Sequence, residues 1–409
     1  MHRHIDRSAW LIAVICWPLA AFADSPRCPA YAVEVIEAAP CPFNKDPLTI
    51  GAGIANGTVV GYYSVCFTSK DRAFMADVSG TFVTLPLLPG FTSMKASDLN
   101  DAGDAVGLLE TSTGVYHAFL YSNGVVSELP IPAGYSGAQA IRMNNTGTIV
   151  GASFAPSAPE ATVWVNGVAT QLTLPLGPDS EALDVNDSGT VVGWMGWSLV
   201  DSASAFQLDL STGRLTNLGH LPDGTGIASA INGSGEIAGW GVMPAPPGKE
   251  FTTRGIRWSG GRMEILEPLP GFKRSGANDI SDDGEIVGFC WNSPPFGNAE
   301  IGFIWRDGVM TALDDLIPPE SGVSVKIAYA IDDEGRITGL AEDERGDVVA
   351  VRLTPFPTIE GDLNRDDAVE GTDLGILLGA WGLAGLADID GSGAVDGADL
   401  GILLGNWTG

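Results

Sequence analysis

A short β-branched run ending in glycine returns seven times between Leu48 and Pro355: TVVG, DAVG, TIVG, TVVG, EIAG, EIVG and RITG. The closing glycines are Gly61, Gly107, Gly151, Gly193, Gly239, Gly288 and Gly339, separated by 46, 44, 42, 46, 49 and 51 residues. Self-similarity at a period of this size restricts the chain to a solenoid or a propeller, because a single unit cannot bury its own apolar face. Most of these glycines follow a turn of the form Asn/Asp/Ser-x-x-Gly, as in LNDAG (Leu99–Gly103), VNDSG (Val185–Gly189), INGSG (Ile231–Gly235), ISDDG (Ile280–Gly284) and IDDEG (Ile331–Gly335). Asn, Asp and Gly supply the positive-φ positions of tight hairpins. A third apolar segment follows each glycine (RAFMA, HAFLY, ATVWV, SAFQL, GIRWS, GFIWR, VAVRL). In six units a further Gly-containing turn then leads to a fourth segment ending near Leu. Four short antiparallel strands are the content of one propeller blade.

The seventh unit stops after three strands, at Val349–Thr354, while an unassigned strand, YAVEVI (Tyr31–Ile36), precedes the first unit. Placing that strand in the seventh blade removes an exposed edge. The expected fold is therefore mainly β: a seven-bladed propeller of four-stranded blades over residues 24–354, closed by the N-terminal strand. An open solenoid is the competing arrangement. The units resemble the extracellular HAF repeat, with the His-Ala-Phe triplet intact at His117-Ala118-Phe119. That resemblance implies a propeller-like fold and an extracellular location, and no particular activity.

After a linker at 355–360, residues 361–409 hold two copies of one loop: DLNRDDAVEGTD (Asp362–Asp373) and DIDGSGAVDGAD (Asp388–Asp399). Oxygen side chains fall at loop positions 1, 3, 5, 9 and 12: Asp362, Asn364, Asp366, Glu370 and Asp373, then Asp388, Asp390, Ser392, Asp396 and Asp399. With the position-7 carbonyls of Ala368 and Ala394, this spacing wraps hard ligands around Ca²⁺, so two Ca²⁺ ions are expected. Each loop runs into the same helical segment, DLGILLGAW or DLGILLGNW. Leu374, Leu377, Leu378 and Trp381 fall at one-face spacing, as do Leu400, Leu403, Leu404 and Trp407.

Two such loop–helix halves resemble a type I dockerin, a small α-helical module of EF-hand type. The resemblance implies two bound Ca²⁺ and a cohesin-type partner on a scaffold or cell surface. The loops depart from the family at position 6, where the second has Gly393 and the first Asp367. Positions 10 and 11, which help read the cohesin in that family, are Gly371 and Thr372, then Gly397 and Ala398.

At the N-terminus, Arg3 and Arg7 precede an apolar run from Ala9 to Ala23 ending Ala21-Phe22-Ala23. This is the pattern of a signal peptide cleaved after Ala23, so residues 1–23 are expected to be removed on export from a bacterium. No other stretch is long enough to span a membrane. Cleavage removes Arg3, Arg7 and Asp6 and takes the formal charge from −29 to −30. So acidic a chain excludes nucleic acid and anionic membrane as partners. Four cysteines remain, Cys28, Cys41, Cys66 and Cys290. An even number in an exported chain suggests two disulfides, with three possible pairings; Cys41–Cys66 is favoured, and free buried thiols are the alternative.

No catalytic constellation emerges. His117 sits at a repeat position otherwise filled by Ala, Gly, Arg, Ser or Val, and His220 lies alone in the loop NLGHLPDG. Neither has a nucleophile in sequence reach, and no His/Cys cluster suits zinc. Asp101, Asp187 and Asp282 recur at one turn position, which is what architecture predicts, and these turns resemble the structural Asp-box hairpins of sialidases. Three insertions break the period, Trp194–Ser202, Met243–Phe251 and Trp291–Glu300. Ordinary loop packing is the favoured reading of these insertions; the alternative, from their Trp, Phe and Pro content, is polysaccharide or protein contact. The sequence thus points to a secreted or cell-surface binding protein. The alternative is a polysaccharide-degrading enzyme, a glycoside hydrolase or lyase, because dockerins ordinarily accompany such enzymes.

Overall fold

The computed structural model describes residues 30–38, 48–66, 68–155, 158–197, 202–243, 251–292, 300–356, 361–363, 369–382, 387, 389 and 394–408. Each repeat glycine lies on the second strand of a four-stranded antiparallel sheet, opposite a bulge in the first strand. A Cβ at any of the seven would come within 1.9–2.1 Å of a first-strand carbonyl oxygen, such as that of Lys95 for Gly107 or Glu181 for Gly193. The requirement for glycine is therefore close backbone approach. Across the second strand, the same glycines pair with the wholly buried Phe74, Phe119, Phe206 and Phe303 in four of the blades.

Six sheets take their strands in chain order, over residues 49–84, 91–128, 137–171, 179–219, 227–266 and 274–312. The seventh has the order Tyr31–Ile36, Val348–Pro355, Ile337–Asp343, Val323–Ile331. Every first strand touches the first strands of both neighbouring sheets, and the seventh touches the first. The sheets are thus the blades of a seven-bladed propeller, with first strands around the axis; an open solenoid is excluded. The core is a series of inter-blade clusters, for example Val60, Ala73 and Leu85 of blade one with Met94, Leu109 and Phe119 of blade two. The outer hairpins use the expected chemistry: Asn123, Asn166 and Asp307 stand at positive φ, each before a positive-φ glycine, as does Asn56 in the first-to-second-strand turn of blade one.

The expectation of two disulfides is corrected. Cys66 is disulfide-bonded, but Cys290 is free and buried in blade six, its Sγ 3.6 Å from Met310 Sδ. The four mature cysteines therefore cannot form two bridges. Cys28 and Cys41 lie outside the described residues, as do residues 1–23, where a signal peptide is expected.

The chain divides into two compact units, one of Val33–Asp314 and Pro319–Thr354, the other of Met1–Ala32, Asp315–Pro318 and Pro355–Gly409. In the second, two helices, α1 (Gly371–Gly379) and α2 (Gly397–Gly405), share a small core of Val369, Leu377, Ala387, Val395 and Leu403. The expected apolar helix faces are only half buried. Leu374 and Leu400 pack against that core, but Leu378 and Leu404 are 53% and 52% exposed, and Trp381 and Trp407 47% and 39%.

Candidate functional site

The propeller axis carries the concentrated charge. In each first strand, one residue pairs with the residue that precedes the repeat glycine. Around the ring from blade one these are Gly53, Asp98, Arg142, Asp184, Ala230, Asp279 and Ala330. The bulge that forces glycine on the second strand also turns this position toward the axis. Arg142 Nη1 lies 3.4 Å from Asp98 Oδ1 in the adjacent blade, and Nη2 lies 3.4 Å from Asp279 Oδ1, three blades away. The guanidinium thus crosses the channel.

The carboxylates have a second job. Asp98 Oδ2 accepts the Met143 N–H (2.8 Å), Asp184 Oδ2 the Ile231 N–H (2.8 Å) and Asp279 Oδ2 the Ile331 N–H (2.9 Å). Each carboxylate therefore ties its own blade to the next. Burial pushes Asp98 up to about 7 and Asp279 up to about 6, and raises Asp184, against the opposing pull of Arg142. Burial by itself would lower the Arg142 pKa, but Asp279, Asp98 and Asp184 more than offset it, and the net shift is upward.

Above this cluster, the turns between first and second strands form the rim of a cavity of ≈ 410 Å³. The turn residues expected to be architectural are so. Asp101 N–H donates to Asn145 Oδ1 (2.9 Å), Asn145 N–H to Asp187 Oδ1 (2.8 Å), Gly233 N–H to Asp282 Oδ1 (2.6 Å) and Asp282 N–H to Asp333 Oδ1 (3.2 Å). One residue earlier, Asn144, Asn186 and Asn232 donate side-chain N–H groups to the next blade's carbonyl at 2.8–3.0 Å. The result is a polar cup with hydrogen-bonded walls and an ionic floor. Sequence reading reached the rim and missed the floor. Its signal was a charged residue two places before the turn Asn or Ser, each followed by a single apolar residue: Asp98, Arg142, Asp184 and Asp279.

The two histidines have ordinary partners: His117 Nδ1 is 3.1 Å from Glu128, and His220 Nδ1 is 2.8 Å from the Leu221 carbonyl. The three insertions lie largely outside the described residues. Their flanks do join second and third strands, and Trp197 and Phe251 at those flanks are exposed.

Of the expected Ca²⁺ ligands, Asp362, Glu370, Asp373, Ala394, Asp396 and Asp399 are described. Asn364, Asp366, Ala368, Asp388, Asp390 and Ser392 lie outside the described residues. The two position-12 aspartates occupy matching environments. Asp373 is wholly buried, its Oδ1 accepting the Leu363 N–H at 2.7 Å and its Oδ2 the Glu370 N–H at 3.0 Å. Asp399 is equally buried and accepts the Ile389 N–H at 2.6 Å and the Asp396 N–H at 2.8 Å. Both carboxylates are thus turned back toward their loops, and Asp362 at position 1 is also buried. Buried like charges on one loop fit a divalent cation held by hard oxygens.

No family model matches the chain, and no curated protein matches it. Among solved structures it is similar to the β-propeller domain of the Trilobed protease from Pyrococcus furiosus, at 12% identity and a TM-score of 0.47, covering 70% of this chain and 93% of that one. It is also similar to a puromycin-hydrolyzing peptidase from Mycobacterium tuberculosis (10%, TM-score 0.49, 74% of this chain and 51% of that one) and to TolB from Acinetobacter baumannii (13%, TM-score 0.38, 73% and 79%). Likenesses this distant say nothing of activity.

Proposed function

We propose that the chain is an exported, non-enzymatic binding protein whose propeller presents the axial cup and its surrounding loops. On this reading residues 1–23 are a cleaved signal peptide, and Tyr31–Ile36 closes the ring as the outer strand of blade seven. The C-terminal loop–helix pair is a dockerin-like module that holds two Ca²⁺ and docks to a cohesin-type partner on a scaffold or cell surface. The carrying observation is the matched burial and bonding of Asp373 and Asp399, 26 residues apart in two copies of one loop. Asp362, Asn364, Asp366, Ala368, Glu370 and Asp373 would hold one ion. Asp388, Asp390, Ser392, Ala394, Asp396 and Asp399 would hold the other. The ions supply charge balance: between 361 and 409 there are nine carboxylates and one basic residue, Arg365.

The polysaccharide-degrading reading draws on one observation, the buried carboxylates Asp98 and Asp279 with raised pKa values at the floor of a cup. Each is, however, committed to a backbone N–H of the next blade and to Arg142, whereas a glycosidase needs a carboxyl free to approach the glycosidic oxygen. The binding reading is favoured for that reason. Native mass spectrometry of the mature chain, with and without chelator, tests the module: two Ca²⁺ should be retained and both lost to chelator. Absence of any calcium adduct would overturn the calcium reading. Hydrolysis of a glycan panel that Asp98→Asn abolishes would overturn the non-enzymatic one.

A further inference from the structure

Six inter-blade joints link consecutive parts of the chain. The seventh, between blades seven and one, joins its ends, and its chemistry differs. Here an Asp–Arg pair stands at the turn, and a buried arginine crosses from blade seven to blade one. Asp332 stands at the turn position of Asn144 and Asn186; its Oδ2 accepts the Gly57 N–H at 3.0 Å and pairs with Arg336 Nε at 2.7 Å. Beside it lies Arg352, 3% exposed, on the third strand of blade seven. Its Nη1 donates to the Gly57 carbonyl at 2.7 Å and to the Asp77 carbonyl at 2.8 Å, both in blade one, and its Nη2 pairs with Glu34 of the N-terminal strand. One guanidinium therefore joins three segments that are distant in sequence. Ile36, on the same side of its strand as Glu34, is buried against Ile54, Val59 and Phe74 of blade one.

We propose that the outer edge of Val348–Pro355 is a strand-accepting surface keyed by Arg352. It fits an extended segment that carries a carboxylate two residues before a buried aliphatic, and residues 30–38 occupy it as a separable latch. The inference rests on the ring-closing reading of Tyr31–Ile36 and adds its recognition chemistry. A buried guanidinium that keeps two backbone carbonyls but loses its counter-charge is strongly disfavoured. An edge strand otherwise gains only sequence-independent ladder bonds, so Glu34 is what makes the edge selective.

The test uses a mature chain lacking residues 24–39 and a labelled synthetic peptide of residues 30–38. The truncated chain should melt lower than the full chain. The peptide should bind it saturably and restore the midpoint, while the same peptide with Glu34→Gln should bind at least tenfold more weakly. An unchanged midpoint without peptide uptake would overturn ring closure itself. A lowered midpoint with equal binding of both peptides would leave closure standing and overturn the key. Should the truncated chain not fold, the full chain carrying Glu34→Gln, Arg352→Gln or both decides. The double variant should melt no lower than Arg352→Gln alone, and additive losses would overturn the pairing.

Discussion

Arg142→Met removes the guanidinium from the floor of the cup while keeping most of the side chain's bulk. Three carboxylates, Asp98, Asp184 and Asp279, then face one another without a cation. Removing one partner from a buried ionic cluster costs about 3–5 kcal/mol, and here that cost depends on pH with a defined sign. Burial raises Asp98 from 3.8 to about 7 and Asp279 to about 6. A carboxyl whose folded pKa is raised favours the fold fully below its unfolded pKa and loses that contribution as pH rises through the folded value. For Asp98 the loss amounts to roughly 4 kcal/mol by pH 8. Arg142 is the group that limits it, so without Arg142 the decline steepens. At pH 5 both aspartates are largely protonated, and the variant should lose about 1 kcal/mol, the net value of a hydrogen bond. For a unit of this size 1 kcal/mol moves the midpoint about 1.5 °C. Scanning calorimetry should therefore show Arg142→Met melting about 5–7 °C below the parent at pH 8 and within about 2 °C of it at pH 5. An equal deficit at both pH values, or a larger one at pH 5, would refute the assignment of Arg142 as counter-charge.

Gly193→Ala puts a Cβ 2.0 Å from the Glu181 carbonyl oxygen, so the bulge must shift. A loss of about 1–3 kcal/mol is expected from overpacking, and a midpoint within error of the parent would count against the bulge as the reason for the repeat glycine. Cys290 is buried and its thiol is pushed up to about 11 by that burial; peptide mass spectrometry should find it unalkylated by iodoacetamide in the native protein at pH 8 and fully alkylated after denaturation. Asp399→Asn should reduce the retained Ca²⁺ from two to one by native mass spectrometry. Retention of both ions would remove Asp399 from the ligand set.

Much of the blade architecture was legible because a repeat states the same thing seven times. The glycine anchors and the Asn-Gly hairpins are each ambiguous alone, yet their period assigns them. The half-exposed helix faces were not legible. A spacing of i, i+3, i+4, i+7 shows which residues share a face, but nine-residue helices around a core of five buried side chains cannot cover four large residues each. Cys290 was misjudged because parity counts cysteines without placing them, and a second strand deep in blade six offers a thiol no partner.

The axial floor went unread because it breaks the repeat, and the breaks follow a rule that needs three dimensions. Asp98, Asp184 and Asp279 stand on blades two, four and six, and each accepts an N–H from blade three, five or seven. An alternation of accepting and donating blades cannot close on a ring of seven. It must fail once, and it fails at blade one, where the equivalent position is Gly53. A side chain at Gly53 would bring its Cβ to 2.9 Å from Asp98 Cα, so that place could not have been filled by another aspartate. Arg352 and Asp332 bond blade one to blade seven, outside the axis. The asymmetric floor is thus a consequence of laying an alternating pattern on an odd number of blades. Within that floor Arg142 spans from blade three to Asp98 on one side and Asp279 on the other.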